Sequence, residues 1–134
     1  MVHRRRQPRV DYLGAVREFH RAFGIAAPNS ATGIVADAVR KSREALMREE
    51  LRELINAMSD EEVVAIADGL ADLLYVVFGT AVAYGIPIDD VFAEVHESNM
   101  TKLDEHGRPV VGKDGKRLKG PFYRPPDIES LLSA

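Results

Sequence analysis

The stretch VVAIADGLADLLYVVFGTAVAY, residues 63–84, decides the fold. Asp68 and Asp72 are its only charged side chains. Ser59 or Asp60 can cap its start, Glu61 and Glu62 suit the positive end of a helix dipole, and Gly85 stops it. The stretch therefore reads as a helix ending near Tyr84. A helix apolar on nearly every side must be buried over most of its surface.

Working outward, Leu13, Val16, Phe19, Ala22 and Phe23 recur at helical spacing, so a first helix spans about Val10 to Phe23 and ends at Gly24. Residues 24–33 hold Pro28, Asn29, Ser30 and Thr32, which predict a loop without a strand. Ile34 to Met58 is rich in strong helix formers and has no internal Gly or Pro, which predicts a long second helix. Pro87, Asp89 and Asp90 start a fourth, reaching about Leu103 with Ile88, Val91, Phe92 and Val95 inward. Beyond it Gly107, Pro109, Gly112, Gly115 and Gly120 punctuate a basic segment. There Val110 and Val111 precede Asp114-Gly115, a two-residue hairpin turn, and a last helical turn is expected at Asp127 to Leu132. The reading is an all-α four-helix bundle with a short basic C-terminal hairpin or loop. Residues 1–9 form a mobile basic tail, 10–104 the bundle, and 105–134 a segment packed on it.

Composition narrows the function. The chain of 134 residues suits one domain, and 46% hydrophobic with 29% charged residues is ordinary for a soluble one. No cysteine is present, which excludes disulfides, thiolate metal sites and cysteine nucleophiles, and makes a cytosolic location the expectation. The net charge of -3 hides acids gathered between Glu44 and Glu105 and two basic ends, so bulk nucleic-acid binding is not implied. The run His3, Arg4, Arg5, Arg6 has no apolar segment after it and is not a secretory signal. Leu73 to Ala83 is too short to span a bilayer, and no membrane partner is expected.

The acids carry the chemistry. On a wheel of about 100° per residue, Met47, Leu51, Leu54, Ile55 and Met58 set the buried stripe of the second helix. Glu50 falls about 60° to one side of Met47 and Glu53 about 120°, at the core's border, with Glu49 further toward the polar face. Acids so placed need a compensating cation, either Arg48 or Arg52 on a solvated face or a bound ion. Asp68 and Asp72, four apart, share one face of the apolar third helix. They imply either buried ion pairs with Arg40 or Arg43, or a metal. For Glu50, Glu53, Asp68 and Asp72 together a hard, oxygen-ligated ion is the better account. Magnesium or manganese is favoured over zinc, since neither cysteine nor a spaced histidine pair exists. On the fourth helix Asn99 and Lys102 replace apolar groups at the end of the inner stripe. Lys102 there is either a phosphate ligand or a complement to the helix dipole. Lys113, Lys116, Arg117, Lys119 and Arg124, with Tyr123 among them, form a basic segment able to close over a polyphosphate or simply to keep an edge soluble. Phe19, His20 and Tyr75 either line a base pocket or belong to the core.

Glu49-Glu50-Leu51-Arg52-Glu53 resembles the EExxE box of the MazG-type nucleoside triphosphate pyrophosphohydrolases. Phe19 to Gly24, Val95 to Leu103, Lys119-Gly120-Pro121-Phe122-Tyr123 and Pro125-Pro126-Asp127 resemble the phosphoribosyl-ATP-pyrophosphatase-like branch of that group. The ordered set covers about residues 11 to 128. One departure stands out. The family's second box is ExxD, and Gly69 occupies the position three before Asp72, so Asp68 must stand in.

The resemblance implies a homodimer or homotetramer of MazG type, with magnesium between the second and third helices and the triphosphate bridging to the fourth helix and the tail. Hydrolysis would fall between the α and β phosphates. Glu50, Glu53 and Asp72 would be the first metal ligands, and Glu49 either a general base or part of a second metal's shell. Asn99, Lys102, Lys119 and Tyr123 would bind substrate. A house-cleaning activity on dUTP-like nucleotides is expected, against two alternatives: hydrolysis of phosphoribosyl-ATP, and a non-enzymatic helical dimerisation module whose acids only form ion pairs.

Overall fold

The computed structural model describes residues 9–133. The basic run His3, Arg4, Arg5 and Arg6 of the expected tail lies outside them. The chain divides into two compact units between Ile86 and Pro87. Its class is all-α, as the sequence predicts, with one short two-stranded ribbon among the described residues.

The first unit holds α1 (Tyr12–Ala22), α2 (Asp37–Ser59) and α3 (Val63–Ala83). Asp11 caps α1, its carboxylate accepting from the Gly14 N–H at 3.0 Å. All three helices end in the same way. The residue after each C-cap is left-handed, Gly24 at φ 66, Glu61 at φ 56 and Gly85 at φ 65. Its N–H and the next one bond back into the last turn, as Glu61 does to Met58 and Glu62 to Ala57. This Schellman closure corrects the expected start of the third helix. Ser59 is the last residue of α2, Asp60 its C-cap, and Glu62 the N-cap of α3 without a side-chain cap bond. Glycine punctuation revealed two of the ends; the third is made by a glutamate. At Gly85 a Cβ would overlap the Ser30 carbonyl, and the Thr32 N–H bonds the Tyr84 carbonyl at 2.9 Å, so the 24–36 loop folds over the end of α3.

Helices α2 and α3 run antiparallel along a close seam. A Cβ built on Gly69 would stand 3.2 Å from the Leu54 Cα, tighter than ordinary packing, so only glycine fits there without a shift. Three turns along α2 from Leu54, Arg43 is buried, its Nη2 donating to the Val76 carbonyl at 2.9 Å and its Nε to Thr80 Oγ1 at 3.2 Å. Gly79 leaves room for Arg43 Nη2 and for His20 Nε2 from α1. His20, also buried, pairs through Nδ1 with the Ala26 carbonyl at 2.9 Å.

This seam moves the expected buried stripe of the second helix. Arg43, Leu54 and Ala57 are its buried residues, while Leu51, Ile55 and Met58 remain about half exposed. A stripe read from apolar residues alone misses a seam that carries a guanidinium. The expectation for α3 is likewise corrected. Val63, Val64, Leu70 and Leu74 are exposed by half or more, because small residues, Gly69, Gly79, Ala81 and Ala83, make the contact face and push the large ones outward. Over its whole length α3 is apolar enough to cross a bilayer by length and composition, which the shorter Leu73–Ala83 stretch does not disclose. Helix α1 covers one flank of α3, with Tyr12 stacked on Phe78 and Phe19 edge-on to Tyr75.

The second unit holds α4 (Ile88–Met100), β1 (Val110–Val111), β2 (Arg117–Leu118) and α5 (Ile128–Leu132). Helix α4 stops before the expected Leu103, and Phe92 is 71% exposed rather than inward. The returning tail takes over its inner face. Ser98 Oγ donates to the Arg124 carbonyl at 2.8 Å, Arg124 pairs with Glu94 at 2.8 Å, and the Asp127 N–H donates to Glu94 at 3.0 Å. These bonds, the Asp127 N–H first and Arg124 next, hold the Glu94 carboxyl below the usual carboxylate range. Asp127 caps α5 through Ser130, at the predicted last turn. The ribbon pairs Val110 with Leu118 and Val111 with Arg117. Its loop has three residues rather than the expected two: Gly112 bonds to Lys116, and Gly115 at φ 79 is the left-handed residue after a turn over Lys113-Asp114.

Arg43→Ala is expected to lower unfolding free energy by about 2–4 kcal/mol, since it opens a cavity and strips the Val76 carbonyl and Thr80 of their donor. Urea denaturation followed by circular dichroism measures the loss.

Candidate functional site

The register of the α2–α3 seam places the acids. Leu54 lies against Gly69, and Arg43 lies against Val76 and Thr80, so Glu50, one turn before Leu54, comes opposite Asp72. Both are half-buried, while Glu49 and Glu53 on the same stretch of α2 are exposed. Glu50 is thus a seam residue rather than one bordering it. Its Oε2 is buried and has no hydrogen-bond partner. Burial pushes the Glu50 carboxyl above its ordinary range, and the negative charges of Glu53, Asp72 and Glu49 push it further.

Among the described residues no cation relieves this crowding. Arg40 pairs within α2, with Asp37 at 3.5 Å and Glu44 at 3.4 Å, and Arg43 is held by Val76 and Thr80. Among the described residues, none of the ion pairs includes Glu49, Glu50, Glu53, Asp68 or Asp72. The ion pairs with Arg40, Arg43, Arg48 or Arg52 that the sequence left open are therefore not formed. Asp68 is exposed and is not among the charges acting on Glu50. Nor does Gly69 leave space for the acid that the family's box carries, because any side chain there meets Leu54.

The charges of Glu49, Glu53 and Asp72 thus act on Glu50, and that of Asp68 does not. Among the described residues no three histidine or acidic groups converge at coordinating distance. A buried carboxylate oxygen without a donor, amid three further negative charges, fits a hard divalent cation held by oxygen ligands.

The second unit carries the basic residues. Asn99, Lys102, Arg117 and Lys119 line a cavity of about 550 Å³ together with Leu103, Pro109, Val110 and Leu118. Lys102 lies in the turn beyond α4 rather than on the helix, and its Nζ donates to Asn99 Oδ1 at 3.0 Å. Tyr123 does not line the cavity; Lys119 Nζ sits 4.4 Å from its ring centroid. Arg124 is committed to Glu94. Of the suggested base pocket, His20 is a bonded core residue. Tyr75 does line a separate apolar groove of about 410 Å³ with Val10, Tyr12, Ala71, Leu74 and Phe78. The spacing of Tyr12, Tyr75 and Phe78 is the signal for that groove, which needs the α1–α3 contact to become visible.

The raised Glu50 pKa fixes the sign of a pH effect. A carboxyl that titrates higher folded than unfolded contributes stability while protonated and loses it as pH rises through the folded value. Glu50→Gln removes that titration and adds an amide donor. In metal-free buffer its melting temperature should exceed that of the wild type at about pH 8, with the gap closing toward about pH 4. A gap independent of pH would contradict the crowding.

Residues 16–99 match the family model described as phosphoribosyl-ATP pyrophosphohydrolase. Over 122 residues the chain is 32% identical to an uncharacterised protein of Acanthamoeba polyphaga mimivirus, covering 88% of this chain and 46% of that protein. It thus spans less than half the length of this curated relative. A solved structure from Exiguobacterium sp. 255-15, provisionally described as an NTP pyrophosphohydrolase, aligns over 94% of each chain at 24% identity with a TM-score of 0.46. The family match takes in more than half of the sequence, including all of α2 and α3 with their carboxylates: the chain belongs to the phosphoribosyl-ATP pyrophosphohydrolase family, within the MazG-like all-α nucleoside triphosphate pyrophosphohydrolases.

Proposed function

We propose that the protein hydrolyses a nucleotide between its α and β phosphates, water adding to give a nucleoside monophosphate and pyrophosphate. One observation carries this reading: the buried, partnerless Glu50 oxygen amid Glu53, Asp72 and Glu49. Glu50, Glu53 and Asp72 would hold magnesium or manganese, and Asp68, exposed and not among the charges acting on Glu50, stands outside that set. When bound, the divalent ion supplies neutralisation of phosphate oxygens and a lowered pKa for the attacking water. Glu49, exposed beside the cluster, orients that water and takes its proton. In the second unit Asn99, Lys102 and Lys119 hold phosphate oxygens, with Tyr123 steadying Lys119.

Homo-oligomerisation belongs to this reading. The exposed stripes Leu51, Ile55, Met58 on α2 and Val63, Leu70, Val77 on α3 recur at helical spacing, and a second copy would cover them. For the substrate, a house-cleaning role on nucleoside triphosphates such as dUTP is the first reading. Phosphoribosyl-ATP is the second, favoured by the description of the matching family.

A panel of canonical and modified triphosphates and phosphoribosyl-ATP, scored for pyrophosphate release with magnesium, separates the two. Magnesium at millimolar level is expected to raise the melting temperature by mass action, as ion-paired acids would not allow. Asp72→Asn should keep the fold and lose turnover by about a hundredfold or more, since an amide donates where a cation requires an anion. Turnover retained at saturating metal would make Asp72 structural and remove the proposed site.

A further inference from the structure

The charged side chains that line the cavity of the second unit are all cationic, set among the apolar Leu103, Pro109, Val110 and Leu118. Lys102, Arg117 and Lys119 bring three cations to it, and no acidic side chain lines it. Asn99 adds to the same polarity, because its Oδ1 is occupied by Lys102 Nζ at 3.0 Å, which leaves the amide NH₂ to face a ligand. Such a lining rejects cations and selects a ligand rich in acceptor oxygens and negative charge. Low-dielectric walls from Leu103 and Pro109 strengthen the attraction.

The fold builds this arrangement deliberately. The three-residue loop sets the ribbon register so that Arg117 lies opposite Val111, and Leu118 opposite Val110. The chain after β2 is then pinned to the end of α4, the Gly120 N–H donating to the Lys102 carbonyl at 2.9 Å. A Cβ on Gly120 would overlap the Leu103 carbonyl, so the approach requires glycine. That pin carries Lys119 and Arg117 to the same cavity as Lys102. The other cations of the segment are placed elsewhere: Lys113 sits in the ribbon loop, and Arg124 is tied to Glu94.

We infer that this cavity is a polyphosphate-binding site in its own right, in which Arg117 is a further phosphate ligand, forking two N–H donors onto phosphate oxygens between the ammonium groups of Lys102 and Lys119. As the place where a nucleotide's phosphates are held, it rests on the proposed pyrophosphohydrolase reading; as an anion site, it does not.

The test uses the full chain and inorganic tripolyphosphate in metal-free buffer, followed by calorimetry, so that the carboxylates of the first unit contribute nothing. Wild type should bind, and Arg117→Ala should weaken binding by about tenfold. Arg117→Lys should recover part of the loss. Lys113→Ala, which removes an equal charge from the same ribbon outside the cavity, should bind as wild type does. Absence of tripolyphosphate binding, or equal weakening by Lys113→Ala and Arg117→Ala, would overturn the site, the second outcome showing only diffuse charge. Turnover separates this failure from that of the proposed function. A wild type that releases pyrophosphate while Arg117→Ala keeps its full kcat/KM refutes the phosphate role of Arg117 and leaves the carboxylate site standing. A wild type that hydrolyses nothing on the panel refutes the pyrophosphohydrolase reading, and tripolyphosphate binding still decides the cavity.

Discussion

The close approach of α2 and α3 at Leu54 and Gly69 is the constraint on which the first unit depends. Without a side chain on Gly69 the two backbones come near enough to set one register, and that register brings Arg43 to the Val76 carbonyl and Glu50 to Asp72. Burying a guanidinium without an acid is unfavourable unless its donors are used, and a backbone carbonyl and a threonine hydroxyl use them here. Gly79 repeats the device one segment further along, making room for Arg43 and His20 where α1, α2 and α3 meet.

The same seam spends none of its positive charge on its acids. Arg43 is two turns from Glu50, roughly 10 Å along the helix axis, and satisfied elsewhere. The charges of Glu53, Asp72 and Glu49 are thus left to raise the energy of the Glu50 carboxylate, one oxygen of which is shut away from water. Strain of this kind is common where a protein holds groups ready for a ligand of opposite charge. The absent family acid has a packing reason as well: the residue that lets the helices close is the one standing in its place.

The second unit solves the inverse problem. Its cations are sorted by backbone geometry into those with an acid partner and those without. Arg124, with Glu94 and the Asp127 N–H, ties the tail to α4. Lys102, Arg117 and Lys119 are left around a cavity that no acidic side chain lines. Equal charges close in sequence therefore have unequal roles, one structural and the others available to a ligand.

The sequence by itself determined the all-α class, the number of long helices, the position of the loop at 24–33, the last turn capped by Asp127, and the presence of acids on α2 and α3, because helical periodicity, glycine stops and capping residues are local signals. Family resemblance in the EExxE box was equally legible, and the family match over residues 16–99 takes that box in. Tertiary structure alone decided which face of each helix is buried. Small residues and an arginine make the seam, so a stripe read from large apolar side chains pointed to Leu51, Ile55 and Met58, which stay exposed. It also decided that Glu49, Glu53 and Asp72, and not Asp68, act on Glu50, that Phe92 turns outward, and that Arg117 rather than Tyr123 reaches the basic cavity. The seam with its acids and the basic cavity depend on register between segments distant in sequence, set by backbone approaches at Gly69 and Gly120 that no periodicity within a single helix or strand records.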